Sequence, residues 1–307
     1  MIGEAEDGEA AVRLATERLI GTSHPGIHRF GIGVGLARRN ESLQKFRNAA
    51  LAILIAGASS AQPDLLLAQI DVIPESELSP GARFAVAIED DDLEKVRALL
   101  DAGNPADTPI AYGENSETPL MKAARSGTDD IARLLLARGA NVNARDDAST
   151  TALEGAVGRG RVSMVALLLA AKADPNVVNT YMQSALSNAA AAGNLELTEM
   201  LLKAGAKPEL QGLVLTPMMF AAFAGNSDLV RLLVRYGADV NYAAKESGQS
   251  ALTSAIVAGK PEIVRLLIEL KANVNQKMPD GDTPLKAARN GDQDDVVAML
   301  LAAGAKE

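Results

Sequence analysis

One order of residue types, Thr-Pro-Leu followed by an Ala pair, a Gly and a Leu pair, returns along this chain at a nearly fixed interval. Beginning at Thr118 it recurs, with substitutions, at Thr151, Ser184, Thr216, Ser250 and Thr283, at spacings of 33, 33, 32, 34 and 33 residues. This period constrains the fold more than any other property of the chain. Each copy is too short to enclose a core of its own and has to bury its apolar side against the next copy. The expectation is a row of similar units.

Within one copy the residues read as helix, turn, helix. The Thr118 hydroxyl can cap a first helix, and Pro119 at the first helical position has a preset φ and no amide hydrogen to leave unpaired. Ser184 and Ser250 can cap in the same way. Leu120, Ala123 and Ala124 form a narrow apolar stripe whose small residues let neighbouring helices approach closely. Gly127 ends the first helix, Ile131, Leu134 and Leu135 face inward from the second, and Gly139 closes it. Later copies repeat the inward set with Met164, Leu167 and Leu168, then Leu197, Met200 and Leu201, then Leu229, Leu232 and Leu233, then Ile263, Leu266 and Leu267. Lys172 and Lys271 replace the closing Gly, at an expected cost of up to about 1 kcal/mol each.

The residues T-P-L at Thr118, T-P-M at Thr216 and T-P-L at Thr283, with the recurring G-A-x-V-N after the second helix, resemble the ankyrin repeat family over residues 80–307. The resemblance implies an all-α solenoid of helix-turn-helix units joined by protruding hairpin loops, here one degenerate cap unit and six recognisable ones. In the cap unit Phe84, Ala85, Ala87, Leu93, Val96, Leu99, Leu100 and Gly103 fall at apolar positions, but Thr-Pro-Leu is missing and acids crowd Glu89 to Asp92. Its outer face is expected to meet water. Arg289 stands where earlier copies keep an apolar residue, as suits a last unit. The family usually has a His after Thr-Pro-Leu that ties adjacent loops together. Here Met121, Glu154, Ser187, Met219, Thr253 and Lys286 hold that position, so the polar brace is expected to be absent throughout and the loops more mobile than usual.

Upstream of the repeats the character is different. Residues 1–37 are Gly-rich and mixed in charge and read as a disordered or mis-assigned extension; the run Gly31, Gly33, Gly35 lacks the spacing of a dinucleotide loop. His24 and His28 are separated by Pro25 and Gly26, which argues against one helical face holding a metal. Residues 38–61 run basic, apolar, then small: Arg38, Arg39, Lys45 and Arg47, the apolar run Ala49 to Ala58, then Ser59-Ser60-Ala61. That is the order of a secretory signal peptide, with cleavage after Ala61 and a natural start at Val34, Leu36 or Leu43. The apolar run is well short of the ~20 residues that span a bilayer, so no stable membrane span is expected in the mature form. Residues 62–79, with Pro63 and Pro74, read as a linker.

Composition excludes several functions. With no Cys there is no disulfide, thiolate nucleophile or zinc knuckle, and a formal charge of −9 with scattered Lys and Arg offers no stripe for a phosphate backbone. The repeats hold no His, and their carboxylates are expected on loops and outer helix faces, so no catalytic or cofactor site is expected.

In the ankyrin family, partners are bound by the residues just before each first helix and by the end of that helix. Carried over residue by residue, this implies partner contacts at Arg125, Arg159, Tyr181, Met182, Gln183, Leu213, Leu215, Phe223, Gln249 and Val257. End units offer charge, whereas the middle ones offer apolar and aromatic groups, the pattern of an interface core with a polar rim. A second possibility is that Leu213 and Leu215 pack back between loops and Phe223 fills a gap in the stack. The functional expectation is a non-catalytic scaffold, a monomer holding an unidentified protein partner in the bacterial periplasm or outside the cell. The alternatives are an intracellular regulator or inhibitor retaining the apolar run as a helix, and, with less support, an enzyme or small-molecule binder.

Overall fold

The computed structural model describes residues 78–112, 115–210, 215–244, 248–277 and 281–306. The expectations for residues 1–37, His24 and His28, the signal segment 38–61 and most of the linker lie outside the described residues, as does Leu213.

Among the described residues there are fourteen helices in pairs. The first of each pair, the inner helices, are α1 (Pro80–Glu89), α3 (Pro119–Ser126), α5 (Ala152–Gly158), α7 (Ala185–Ala191), α9 (Pro217–Ala224), α11 (Ala251–Val257) and α13 (Pro284–Asn290). The outer helices are α2 (Leu93–Asp101), α4 (Asp129–Ala137), α6 (Val162–Ala170), α8 (Leu195–Lys203), α10 (Ser227–Arg235), α12 (Pro261–Glu269) and α14 (Asp294–Ala302). Each inner helix packs on the inner helix of the next unit and on its own outer partner, and consecutive outer helices also touch, so the units form a two-layer stack. The first connecting loop is a true antiparallel hairpin, β1 (Ile110–Tyr112) against β2 (Asn115–Glu117), with Ile110 opposite Glu117.

The caps explain why the inner helices start where they do. Thr118, Thr151, Ser184, Thr216, Ser250 and Thr283 each accept the amide of the third residue into the helix through the side-chain oxygen. Ser187 and Thr253 return a bond to the capping residue's amide. Small residues then set the interhelical distance: Ala123, Ala156, Ala189, Ala221, Ala255 and Ala288 are completely buried along the inner layer. Gly127 and Gly225 end α3 and α9 at φ of 80° and 78°, and a Cβ there would run into the side chains of Arg161 and Lys260 in the following unit.

The recurrent Asn of G-A-x-V-N stitches the turns behind the outer helices. Asn143 accepts the Asp174 amide and donates to the Lys172 carbonyl; Asn176 does the same with Lys207 and Gly205, and Asn275 with Lys306 and Gly304. Lys172 and Lys271, in the Gly position, adopt φ of 69° and 70°. Forcing a side chain into that region costs about 1–2 kcal/mol, partly offset because Gly loses more freedom on folding. Lys172→Gly and Lys271→Gly are therefore each expected to raise stability by up to about 1 kcal/mol, read from the urea midpoint at unchanged slope.

Two expectations need correction. Helix α1 does not present a water-facing side: Gly81, Ala82, Phe84, Ala85, Val86, Ala87 and Ile88 are buried round the helix, and the base of the first hairpin lies on it, with the Pro109 carbonyl where a Cβ of Gly81 would be. Exposed side chains of this unit include Glu94, Lys95, Ala98 and Asp101 on α2. Nor are the loops unbraced. The Ser116 amide donates to Asp147, the Thr180 amide donates to the Ala148 carbonyl, and Glu154 accepts from Asn179 and Asn188 of the next unit.

Candidate protein-docking surface

The surface is built from two parts of each unit: the loop before the inner helix, which we call the finger, and the far end of that helix. The second and third fingers share one design. Asp146 and Asn179, each five residues before a cap, accept two amides of their own fingertip through one side-chain oxygen: Ala148 and Thr150 in the second, Tyr181 and Gln183 in the third, at 2.8 to 3.1 Å. The amides of Asp146 and Asn179 close the same loops onto the carbonyls of Thr150 and Gln183. These Asx turns need one residue in the left-handed region, filled by Ser149 at φ 59° and Met182 at φ 57°. A strained, outward-facing Met on a clamped loop is the kind of feature that structures keep at functional positions.

At the far end, the seventh residue after each cap runs Arg125, Gly158, Ala191, Phe223, Val257, Asn290 through the stack. Phe223 is 55% exposed and Val257 68% exposed, at equivalent positions on the packed neighbours α9 and α11. Phe220, three residues before Phe223, is half-buried on the same face. Tyr181 is 71% and Met182 48% exposed on the third finger. Within one unit, seven residues of helix separate finger from helix end, about 10 Å at 1.5 Å per residue.

The other residues implied by the family pattern sit differently. Arg159 is exposed at the C-cap of α5, and Gln183 is exposed on its finger. Leu215 and Gln249 are half-buried beside their caps. Arg125 is half-buried and paired with the nearly buried carboxylate of Glu117, so its charge is already engaged by the finger before its own helix. Phe223 does not fill a gap in the stack; its exposure rules that reading out.

Sequence reasoning missed Glu154 and Asn179. Glu154 is only 5% exposed and Asn179 6%, so the expectation that every carboxylate lies on a loop or outer face fails here. Asn179 and Asn188 both donate to Glu154 Oε1, while the buried Oε2 has no hydrogen-bond partner. Burial pushes the Glu154 carboxyl up to about 7; the two Asn bonds pull it back, and the Asp146 charge adds to the rise. Among the described residues no group of three or more His, Cys, Asp or Glu is placed to hold a metal ion, and no helix is long and apolar enough to cross a membrane.

The repeat geometry is matched by family comparison. Residues 84–179, 153–245, 186–278 and 218–307 fit the family described as ankyrin repeats in three copies. The chain belongs to the ankyrin repeat family. Solved ankyrin repeat domains resemble it in three dimensions. One from Acinetobacter baumannii is 32% identical over 61% of this chain and 98% of its own, with a TM-score of 0.57. The human ASB11 ankyrin repeat domain is 28% identical over 62% of this chain and 85% of its own, with a TM-score of 0.55. The domain of Bcl-3, described as a member of the IkappaB protein family, is 27% identical over 71% of this chain and 97% of its own, with a TM-score of 0.63. No curated protein matches the sequence. Ankyrin repeats are in general protein-interaction scaffolds.

Proposed function

We propose that this ankyrin repeat protein is a non-catalytic scaffold that docks a partner protein on the strip bordered by Tyr181 and Met182 on one side and Phe223 and Val257 on the other. One observation carries the reading: Tyr181, Met182, Phe223 and Val257 are exposed to solvent, although the same units bury Leu186, Leu201, Met218, Leu229 and Leu233. An exposed apolar cluster between charged ends suits an interface core with a rim, and aromatic residues dominate such cores. The carboxylates and arginines at the ends would then serve orientation and encounter rate more than affinity.

The basic, apolar, small order of residues 38–61 supports export to the bacterial cell envelope, with the repeat array as the mature part. The second reading is an intracellular regulator or inhibitor that keeps the upstream apolar run uncleaved. Fractionation with N-terminal sequencing of the native protein separates the two: a mature start at Gln62 in the envelope supports export, and a cytoplasmic product retaining Arg39 contradicts it.

The docking role is tested with Tyr181→Ser and Phe223→Ser. Both side chains are mostly exposed, so each variant is expected to unfold within about 0.5 kcal/mol of the parent. Each should weaken capture of the native partner at least tenfold, about 1.4 kcal/mol. Unchanged capture by the double variant would remove the strip from the interface.

A further inference from the structure

The third finger is the most exposed apolar element of the surface, and its conformation depends on a residue outside it. Asn179 uses its side-chain oxygen to clamp the amides of Tyr181 and Gln183, and its side-chain nitrogen donates to Glu154 on the inner helix of the preceding unit. One amide group thus joins the fingertip to a buried carboxyl. We propose that Glu154 is the positioning residue of this finger: through Asn179 it fixes the tip that carries Tyr181 and Met182, and its charge state sets how firmly that tip is held. The proposal rests on the docking role of the finger and adds a control to it.

The direction comes from reciprocity. The Asn179 and Asn188 bonds stabilise the ionised carboxylate, so ionisation must in turn strengthen those bonds. A carboxylate accepts a charge-assisted hydrogen bond about twice as strong as that to a neutral acid. Loss of the proton near neutral pH should therefore tighten the finger, and its return should loosen it. The groups that can interfere are few. Asp146 in the second finger repels the charge; of the cations on α3, Lys122 is paired with Glu89, and Arg125, whose side chain packs on Gly155, is paired with Glu117. Helices α6 and α7 carry no ionisable side chain. The carboxyl is mostly cut off from solvent, so its proton is governed by these neighbours.

The chain has no Trp, so Tyr181→Trp places a single indole at the fingertip. Fluorescence anisotropy of the full chain, followed from about pH 5 to about pH 9, should show one transition near pH 7 with higher anisotropy on the alkaline side. Adding Glu154→Gln should abolish that transition while far-ultraviolet circular dichroism stays unchanged. Adding Asp146→Asn, which keeps the fingertip acceptor of its own loop but removes the repulsion, should move the midpoint to lower pH. Glu154→Gln retains every other ionisable group of the chain. A transition that survives Glu154→Gln, or no transition in the parent reporter, would overturn the proposal. The readout needs no partner, so its failure leaves the docking reading intact, and failure of capture leaves a measured transition intact.

Discussion

Leu186→Ala is expected to destabilise the protein by about 2 to 5 kcal/mol, the range for truncating a fully buried Leu in a core that relaxes only partly. Leu186 is completely buried on α7, in the middle of the stack, and cannot be replaced by rearrangement because Ala189 and Ala190 already hold the neighbouring inner helices close. Position in the array matters as much as burial. In a stack stabilised by nearest-neighbour contacts, a weak central interface lets the two halves unfold separately. The urea transition should therefore shift to lower concentration and also broaden, whereas Leu301→Ala, at a residue 48% exposed on the last helix, should stay within about 0.5 kcal/mol. A single sharp transition of parental midpoint for Leu186→Ala would mean that the central units do not hold the array together.

The second large effect is a stability that falls as pH rises through neutrality. In the unfolded chain Glu154 titrates at its ordinary value of 4.5, and in the folded protein at about 7. Between these values the native state holds a proton that the unfolded state has lost, so raising the pH favours unfolding. The contribution is fully present below the unfolded value and gone above the folded one. A span of that size corresponds to about 3 kcal/mol. Other carboxylates impose the opposite slope at the acid end, so the informative quantity is the difference between parent and Glu154→Gln. The two should be nearly equal at about pH 4, and the variant should be the more stable by up to about 3 kcal/mol at about pH 8. A constant difference across that range would show that Glu154 stays ionised when buried. The same ionisation that tightens the third finger is thus expected to weaken the fold as a whole, because Oε2 is buried without a partner.

The parts of this structure that were legible in the sequence are those fixed within one repeat. Thr118, Ser184 and Ser250 are caps because each precedes a helical run by one residue and can reach the amide three places along, and Lys172 and Lys271 are strained because of where the second helix must stop. Phe223 and Val257 stood out because the period assigns them to a helix end, and both are exposed there. What the sequence hid depends on contacts a full repeat away. Glu154 occupies a position that reads as polar and outward, and only the finger of the next unit, folding over it with Asn179, makes it a buried group. The burial of α1 has the same origin, since Pro109 and Ile110 reach it from beyond α2. The Arg125–Glu117 pair is another case: a helix end that the family pattern assigns to partners is engaged by its own finger.

On the proposed reading, the middle of this stack holds another protein against side chains its own fold does not need. A photoreactive phenylalanine analogue at position 223, introduced into the full chain in its native host, tests it most directly. The expected result is one dominant crosslinked protein, reduced when Tyr181→Ser is added, with the unfolding midpoint unchanged in both chains. An adduct formed only within the chain itself, or a set of adducts indifferent to Tyr181→Ser, would contradict it.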